Sequence, residues 1–304
     1  GKDALATNTV GDRNVAIGAY SLATNNPSTN EDSYNVAVGY AAGNAITTGK
    51  QNTAVGGLAL DALTTGDRNV ALGFAAISTA TTGSDNTAVG NYALIENTTG
   101  DNNTAVGSYA LDANTTGAQN TALGTFALGA STTGDRNVAV GYATLDANTT
   151  ASDNVAIGTA ALGVNTTGDR NVAIGNYSLD ANTVGDRNVA VGYGALTTYN
   201  PSTNEDSYNT AIGYAALYEN TTGNFNTAVG GLAMDANTTG SGNVAVGEDS
   251  LGGNTTGDDN VAIGQDALKV NTTGQRLTAV GQGALAANTT ADSNVAVGRA
   301  SLGA

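Results

Sequence analysis

Few side chains in this sequence could carry chemistry. Among 304 residues there are 26 Asp or Glu, 10 Lys or Arg, and neither His nor Cys. Without His the commonest general base and a frequent metal ligand are missing. Carboxylates remain, and a pair of them can cleave a glycosidic bond. The Asp residues that recur, however, do so at one repeated position: Asp61, Asp112, Asp146, Asp180 and Asp235. A repeated carboxylate makes a stripe along a surface, not one reaction centre. The sequence therefore reads as non-catalytic, with no cofactor.

Two oxygen-rich segments differ from everything around them. One holds Asn30, Glu31, Asp32 and Tyr34, the other Asn204, Glu205, Asp206 and Tyr208. Calcium favours loops of this composition, but the spacing matches no calcium loop. They read as solvated turns with no metal, and as the contact loops if the chain has a specific contact site. Asn-Thr-Thr is a glycosylation sequon and occurs at Asn97, Asn114, Asn148, Asn165, Asn220, Asn237, Asn254, Asn271 and Asn288. The adjacent threonines could suggest an ice-binding face, yet such a face needs Thr-x-Thr on one flat strand. Ten of fifteen aromatics stand at two adjacent repeat positions. If adjacent positions face opposite ways, these rings form no sugar-stacking platform and serve packing between chains.

The net charge of −16 argues against a nucleic-acid partner, because phosphate binding needs basic residues to release counterions. An anionic membrane is disfavoured for the same reason. No apolar run approaches the length of a membrane-spanning helix. The absence of Cys leaves no disulfide pattern to indicate a compartment.

What positions these residues is a repeat. The five-residue run Asn171-Val172-Ala173-Ile174-Gly175 has seventeen in-phase counterparts including itself, the first at Asn14 and the last at Asn294. Fourteen of the sixteen spacings are 17 residues and two are 21. The unit reads N-[V/T]-A-[V/I/L]-G-x-x-[A/S]-L-x-x-N-T-T-G-x-x, and positions below are counted from its Asn. A period this short, held over a whole chain, marks a solenoid. The β-branched run between Asn and Gly reads as a strand, and Asn-Thr-Thr-Gly as a turn. The expected fold is all-β: a parallel β-solenoid of 17-residue coils, about seventeen of them, as a single array over residues 1–304. Lengthened turns at 26–35 and 200–209 bulge outward and leave the register intact. The array starts and stops in mid-unit, so it is expected to be a segment of a longer protein.

Alternation along the strand puts positions 2 and 4 on one face and 3 on the other. The larger aliphatics at 4 and 9, joined by 2, are expected in the dry interior. The Ala at position 3, present in every copy from Ala16 to Ala296, is expected where another strand or chain approaches closely. On that reading Ala156→Glu and Ala173→Glu disrupt an interface. The Asn at position 1 is expected to form a stacked amide ladder.

The N-V-A-I-G run followed by small residues resembles the head repeat of trimeric autotransporter adhesins, the YadA-like head. The longer pattern, as in Asn226 to Gly240, is similar to arrays in bacteriophage tail-fibre and related surface proteins. The resemblance covers essentially the whole chain. It implies a left-handed parallel β-roll, assembly as a homotrimer or filament, and a place outside the cell, on a cell or virion surface. The functional expectation is a structural fibre or adhesin segment that acts as a spacer and meets glycan or extracellular matrix. The alternative is an ice-binding or purely scaffolding rod.

Overall fold

The computed structural model describes residues 1–27, 32–204 and 206–303. Asn30, Glu31 and Glu205 lie outside these. Every coil contributes one three-residue strand, from β1 (Val15–Ile17) to β17 (Val295–Val297), and no helix occurs among the described residues. The protein is a parallel β-solenoid of 17-residue coils. It forms two compact units, Gly1–Ser152 and Asp153–Ala304, at a boundary the repeat pattern does not mark.

In the first unit, neighbouring strands pair in parallel with the motif in register. Val15 lies opposite Val36 although 21 residues separate them, and Thr87 opposite Thr104 across 17. In the second unit, β10 (Val172–Ile174) pairs with β11 (Val189–Val191), and Val189 pairs with Thr210 across the second lengthened turn. The strand register is thus kept across both lengthened turns, as the sequence predicts; the outward bulge expected of the inserted residues falls partly on residues outside the described ones.

The ladder does not stop at the strands. Val172 N–H donates to Asn188 O at 2.8 Å, Leu179 N–H to Ala195 O at 3.0 Å and Thr166 N–H to Thr183 O at 2.9 Å, all toward the following coil. Gly175 N–H donates to Ile157 O at 2.8 Å and Tyr177 N–H to Thr159 O at 3.0 Å, toward the preceding one. Within a coil, Ser178 N–H closes a turn on Gly175 O, and Asn182 N–H closes a second on Leu179 O. The turns require left-handed backbone at positions 7, 9 and 17, where Tyr177, Leu179 and Arg187 have φ of 58°, 52° and 58°. The Gly at position 5 has φ between 120° and 142° throughout. A Cβ on Gly175 would also lie 2.3 Å from the carbonyl oxygen of Gly192, so both conformation and stacking demand glycine there.

The interior corrects the sequence reading. Position 3 faces inward: Ala156, Ala173 and Ala190 are completely buried. Position 4 faces outward: Ile157 and Ile174 remain more than a third exposed, and Ile17 more than half. Position 9 is interior as expected, with Leu60, Leu94, Leu162 and Leu179 fully buried, joined by the small residue at position 8. The coil is too thin for a branched side chain on the strand's inner face opposite Leu. Only Ala fits, and Val and Ile are left outside. The Ala column therefore lies within one chain and is no interface. Each buried Leu contributes about 2 kcal/mol of transfer energy; Ala gives far less, so hydrogen bonds must hold much of the coil.

They do so through two amide columns. At position 1, Asn171 N–H donates to Asn154 Oδ1 and Asn188 N–H to Asn171 Oδ1, each at 2.9 Å, while Asn171 Nδ2 donates to Gly185 O at 2.9 Å. The expected ladder is present and buried. At position 12, Asn237 Nδ2 donates to Asn220 Oδ1 at 2.9 Å and to Gly240 O at 3.0 Å. The two columns together hold the Thr-Thr-Gly corner.

Candidate functional site

Three surfaces leave the coil and could meet a partner. The first is the outer face of the strands. Positions 2 and 4 present Val or Thr and Val, Ile or Leu at every coil, and within each unit neighbouring coils hold them in register. In the second unit Ile157, Ile174, Ile212, Val246 and Ile263 are all exposed on it. In the first unit Thr87, Thr104 and Thr121 occupy position 2 on successive coils, beside Val89, Val106 and Leu123. Within each unit the face is an aliphatic stripe with interspersed hydroxyls and no charge.

The second surface is aromatic, and it overturns the expectation that rings at positions 6 and 7 face apart. Side chains alternate only along extended backbone, and here Gly at 5 and left-handed residues at 7 curl the chain. In the first unit Phe74, Tyr92, Tyr109, Phe126 and Tyr142 make one continuous file, with centroids 5.5, 5.2, 5.6 and 6.2 Å apart. In the second, Tyr177, Tyr193 and Tyr214 follow at 6.0 and 5.8 Å. A simple rule governs the geometry. Rings at the same position stack, as Tyr92 on Tyr109 at 23° and Tyr193 on Tyr214 at 11°. Rings that change position meet edge to face, as Phe74 on Tyr92 at 84° and Phe126 on Tyr142 at 81°. Offset stacking and T-shaped contact are the favoured arrangements of aromatic quadrupoles.

The third surface is the pair of lengthened turns. Arg13 pairs with Asp32 and hydrogen-bonds the Tyr34 hydroxyl, which also donates to Asp32 Oδ2 at 3.0 Å. Its guanidinium lies over the Tyr34 ring, 5.4 Å from the centroid. The second turn repeats the arrangement: Arg187 pairs with Asp206, lies 5.5 Å from the Tyr208 ring centroid, and Tyr208 hydroxyl donates to Asp206 at 3.3 Å. Tyr208 further stacks on Phe225 at 5.9 Å. The structure thus brings Asp32 with Tyr34, and Asp206 with Tyr208, each under an Arg that the sequence reading did not place among the contact residues. The signal was present, since Asp-Arg precedes both turns in the same place. Asn204 is exposed. Among the described residues no three acidic side chains gather as a metal site would need.

The structure places the sequon asparagines in the interior. Asn97, Asn114, Asn148, Asn165, Asn220, Asn237, Asn254 and Asn271 are fully buried, and their amides serve the position-12 column, as with Asn254 Nδ2 on Asn237 Oδ1 at 2.8 Å. A glycan on these nitrogens has no room in the folded coil. Asn288, only partly buried, also donates to Asn271 Oδ1 at 2.9 Å.

The recurrent Asp at position 10 sits half-buried, and Asp235 shares a groove with Tyr193, Tyr214 and Tyr218. Burial pushes the carboxyls of Asp61, Asp112, Asp146, Asp180 and Asp235 above their ordinary value. Asp112 also feels Asp146 and Glu96. Within the first unit Asp112 and Asp146 are separated by Gly129, one coil apart from each. Alternation with a residue lacking charge keeps like carboxylates two coils apart, about 10 Å, where screening is substantial. No known protein family and no characterised protein matches this chain.

Proposed function

We propose that the chain is a non-catalytic extracellular fibre segment that associates with copies of itself through the outer strand face. The observation that carries this reading is the uncharged aliphatic stripe of positions 2 and 4, repeated at every coil and left open by the fold. Contiguous apolar surface of this kind marks an interaction site. Because every coil offers the same stripe, the matching partner is another copy in parallel register. The resemblance to YadA-like heads supports a parallel homotrimer of left-handed rolls and a place on a cell or virion surface. Repeated identical units suit reach and multivalent weak contact with glycan or matrix, and the Arg-pinned turns at Asp32–Tyr34 and Asp206–Tyr208 are the protrusions available for it.

Light scattering tests the assembly. The chain is expected at three times its monomer mass. Ile157→Glu with Ile174→Glu is expected to give monomers with unchanged circular dichroism, since these side chains point outward. Ala173→Glu buries an unpaired charge and is expected to unfold the coil instead. A monomeric parent chain, or an assembly indifferent to the double Ile variant, overturns the reading.

One observation favours a second reading, ice binding. Thr87, Thr104 and Thr121 form an outward file on the strand face, one per strand, with Val89, Val106 and Leu123 standing where a Thr-x-Thr face would hold its second hydroxyl. Thermal hysteresis of the purified chain checks it, and its absence removes the alternative.

A further inference from the structure

The file of rings in the second unit ends in an open hollow. Tyr193 and Tyr214 stack at 11° with centroids 5.8 Å apart, so one face of Tyr214 is covered by the preceding coil and the other points at the following one. There the ring position is Gly231, whose hypothetical Cβ would meet nothing within 4 Å. In the first unit the equivalent space is filled, since Phe126 covers Tyr109 at 5.6 Å. At Gly231 it becomes a groove of about 400 Å³ lined by Tyr193, Tyr214, Tyr218, Leu232, Glu219 and Asp235. That volume is in the range of small-ligand sites.

We propose that this groove binds a small organic cation of the trimethylammonium class, held against the open face of Tyr214 by the ring and by the carboxylates of Glu219 and Asp235. An aromatic face attracts a cation through its quadrupole, most strongly where water is excluded. The lining contains no Lys or Arg, and among the described residues neither carboxylate has an ion-pair partner. Burial, then the neighbouring charge of Asp249 and of Glu219, raises the Asp235 carboxyl above its ordinary value. A bound cation would relieve that repulsion. The apolar part of the lining, Leu232 with the ring faces, selects against a compact, strongly hydrated ion. A methylated ammonium, with diffuse charge and an apolar shell, fits both halves of the site. The site does not depend on self-association, because it lies beside the strand face, within one unit of one chain.

Titration calorimetry and tyrosine fluorescence with choline chloride and tetramethylammonium chloride test it; the chain has no Trp to obscure the signal. Saturable binding is expected, weakened at least tenfold by Tyr214→Leu and by Asp235→Asn. Tyr109→Leu, outside the groove, leaves it unchanged. Gly231→Tyr is the decisive variant: it extends the ring file, fills the hollow and is expected to abolish binding while the melting temperature holds or rises. Binding to choline but not to phosphatidylcholine vesicles identifies a soluble ligand, and binding to both a headgroup; either supports the site. No saturable binding to the parent chain, binding that survives Gly231→Tyr, or binding of methyl glucoside with none of choline overturns it.

Discussion

From Asn220 to Asn271 the second corner of every coil is held by amides; from Ile46 to Ala80 the same corner is filled by alkyl groups. In the first region Asn237, Asn254 and Asn271 each donate to the Asn before them, at 2.8 to 3.0 Å, and to the Gly carbonyl three residues on. In the second region Ile46, Leu63 and Ala80 stand at that position, all essentially inaccessible. The backbone is the same in both, with Thr64 N–H on Thr81 O and Thr238 N–H on Thr255 O, each at 2.9 Å. So the corner accepts either a polar column or an apolar one. A change of column is satisfied at some junctions, as at Asn182 before Tyr199, where Gly185 N–H donates to Asn182 Oδ1 at 3.0 Å, and leaves polar atoms unpaired at others. Where Ser131 interrupts the amides, the Oδ1 of Asn114 and the hydroxyl of Ser131 are both buried without a partner. Asn25, the last amide before Ile46, has an unpartnered Nδ2 among the described residues. Polar satisfaction here belongs to the column, not to the single residue.

The most damaging way to break the comparison is to put the wrong residue into each region. Leu63→Asn loses a buried aliphatic side chain and strands an amide oxygen between Ile46 and Ala80. It is expected to cost about 4 kcal/mol. Asn237→Leu strands Asn220 Oδ1 and removes the bond to Gly240, at about 3 kcal/mol. Urea unfolding measures both. The triple variant Ile46→Asn, Leu63→Asn, Ala80→Asn builds an amide column across the apolar block. It is expected to cost clearly less than three times the single change, by coupling of neighbours. Simple additivity would show that the amides do not act together.

The converse repair sharpens the point. Ser131→Asn supplies a donor to Asn114 Oδ1 and removes the orphaned hydroxyl, in a coil whose neighbours already hold Asn at that position. Leaving one buried polar atom unpaired costs about 1–3 kcal/mol, so a gain of about 2 kcal/mol is expected. A destabilised Ser131→Asn chain would mean that the interruption serves packing rather than being a fault in the column.

Much of this was legible in the sequence, and the errors have physical causes. Period and register, including the register kept across the lengthened turns, follow from the phase of the motif, because an in-register parallel ladder can satisfy the backbone only if equivalent residues stack. The Asn column at position 1 was legible for the same reason. The strand's inner face was misjudged because aliphatic size was taken as the mark of the core. In a coil this thin the interior admits only Ala opposite Leu, and the invariant Ala16 to Ala296 correctly signalled a close approach; the approaching neighbour is the rest of the same coil and not another chain. The burial of the sequon Asn was not legible, because assignment to a turn does not say which way the side chain points; at position 12 it turns inward to the Gly carbonyl. The aromatic file was hidden by applying strand alternation to residues that are not in a strand. The groove at Gly231 could not be read at all, since it depends on which ring faces are covered.

The carboxylates give the comparison a pH dependence opposite to that of ordinary acid denaturation. The position-10 residues Asp112 and Asp146 in one unit and Asp180 and Asp235 in the other have folded values raised above the ordinary 3.8 by burial. In that case the folded chain holds protons more tightly than the unfolded one. The stabilisation is fully present below the unfolded value and is lost as the pH rises through the folded one. The net charge of −16 acts in the same direction, through self-repulsion. The thermal midpoint is therefore expected to rise as the pH is lowered from 7 toward 4. Asp112→Asn with Asp146→Asn is expected to raise it at pH 7 and flatten the profile. The fork of Arg68 on Asp85, with N–O distances of 2.6 and 2.8 Å, lowers the Asp85 carboxyl and opposes this, but it is exposed and weak. A midpoint that falls steadily from pH 7 to 5 would refute the assignment.

The smallest expected effect concerns the left-handed residues, which are common to both regions. Positions 7, 9 and 17 hold non-glycine residues at φ near 45–63° in nearly every coil, a conformation that L residues reach only with strain. The chain itself supplies the comparison: Gly43 takes position 9, Gly194 and Gly283 position 7, and Gly242 position 17, at φ of 59°, 63°, 66° and 71°. The conformation is thus set by the ladder and not by the residue. At an exposed position 17, Gln119 has φ of 61° and its N–H donates to Asp101 O at 3.0 Å. Gln119→Gly keeps that bond and relieves the strain, at the cost of more freedom in the unfolded chain. A net gain of about 0.5 kcal/mol is expected, read as a slightly higher urea midpoint with unchanged slope. Gln119→Val places a branched Cβ in the same backbone and is expected to lose more than that gain. If Val were tolerated as well as Gly, the left-handed backbone would not be strained at this site, and the frequency of such residues would have to be explained by the hydrogen-bonded stack alone.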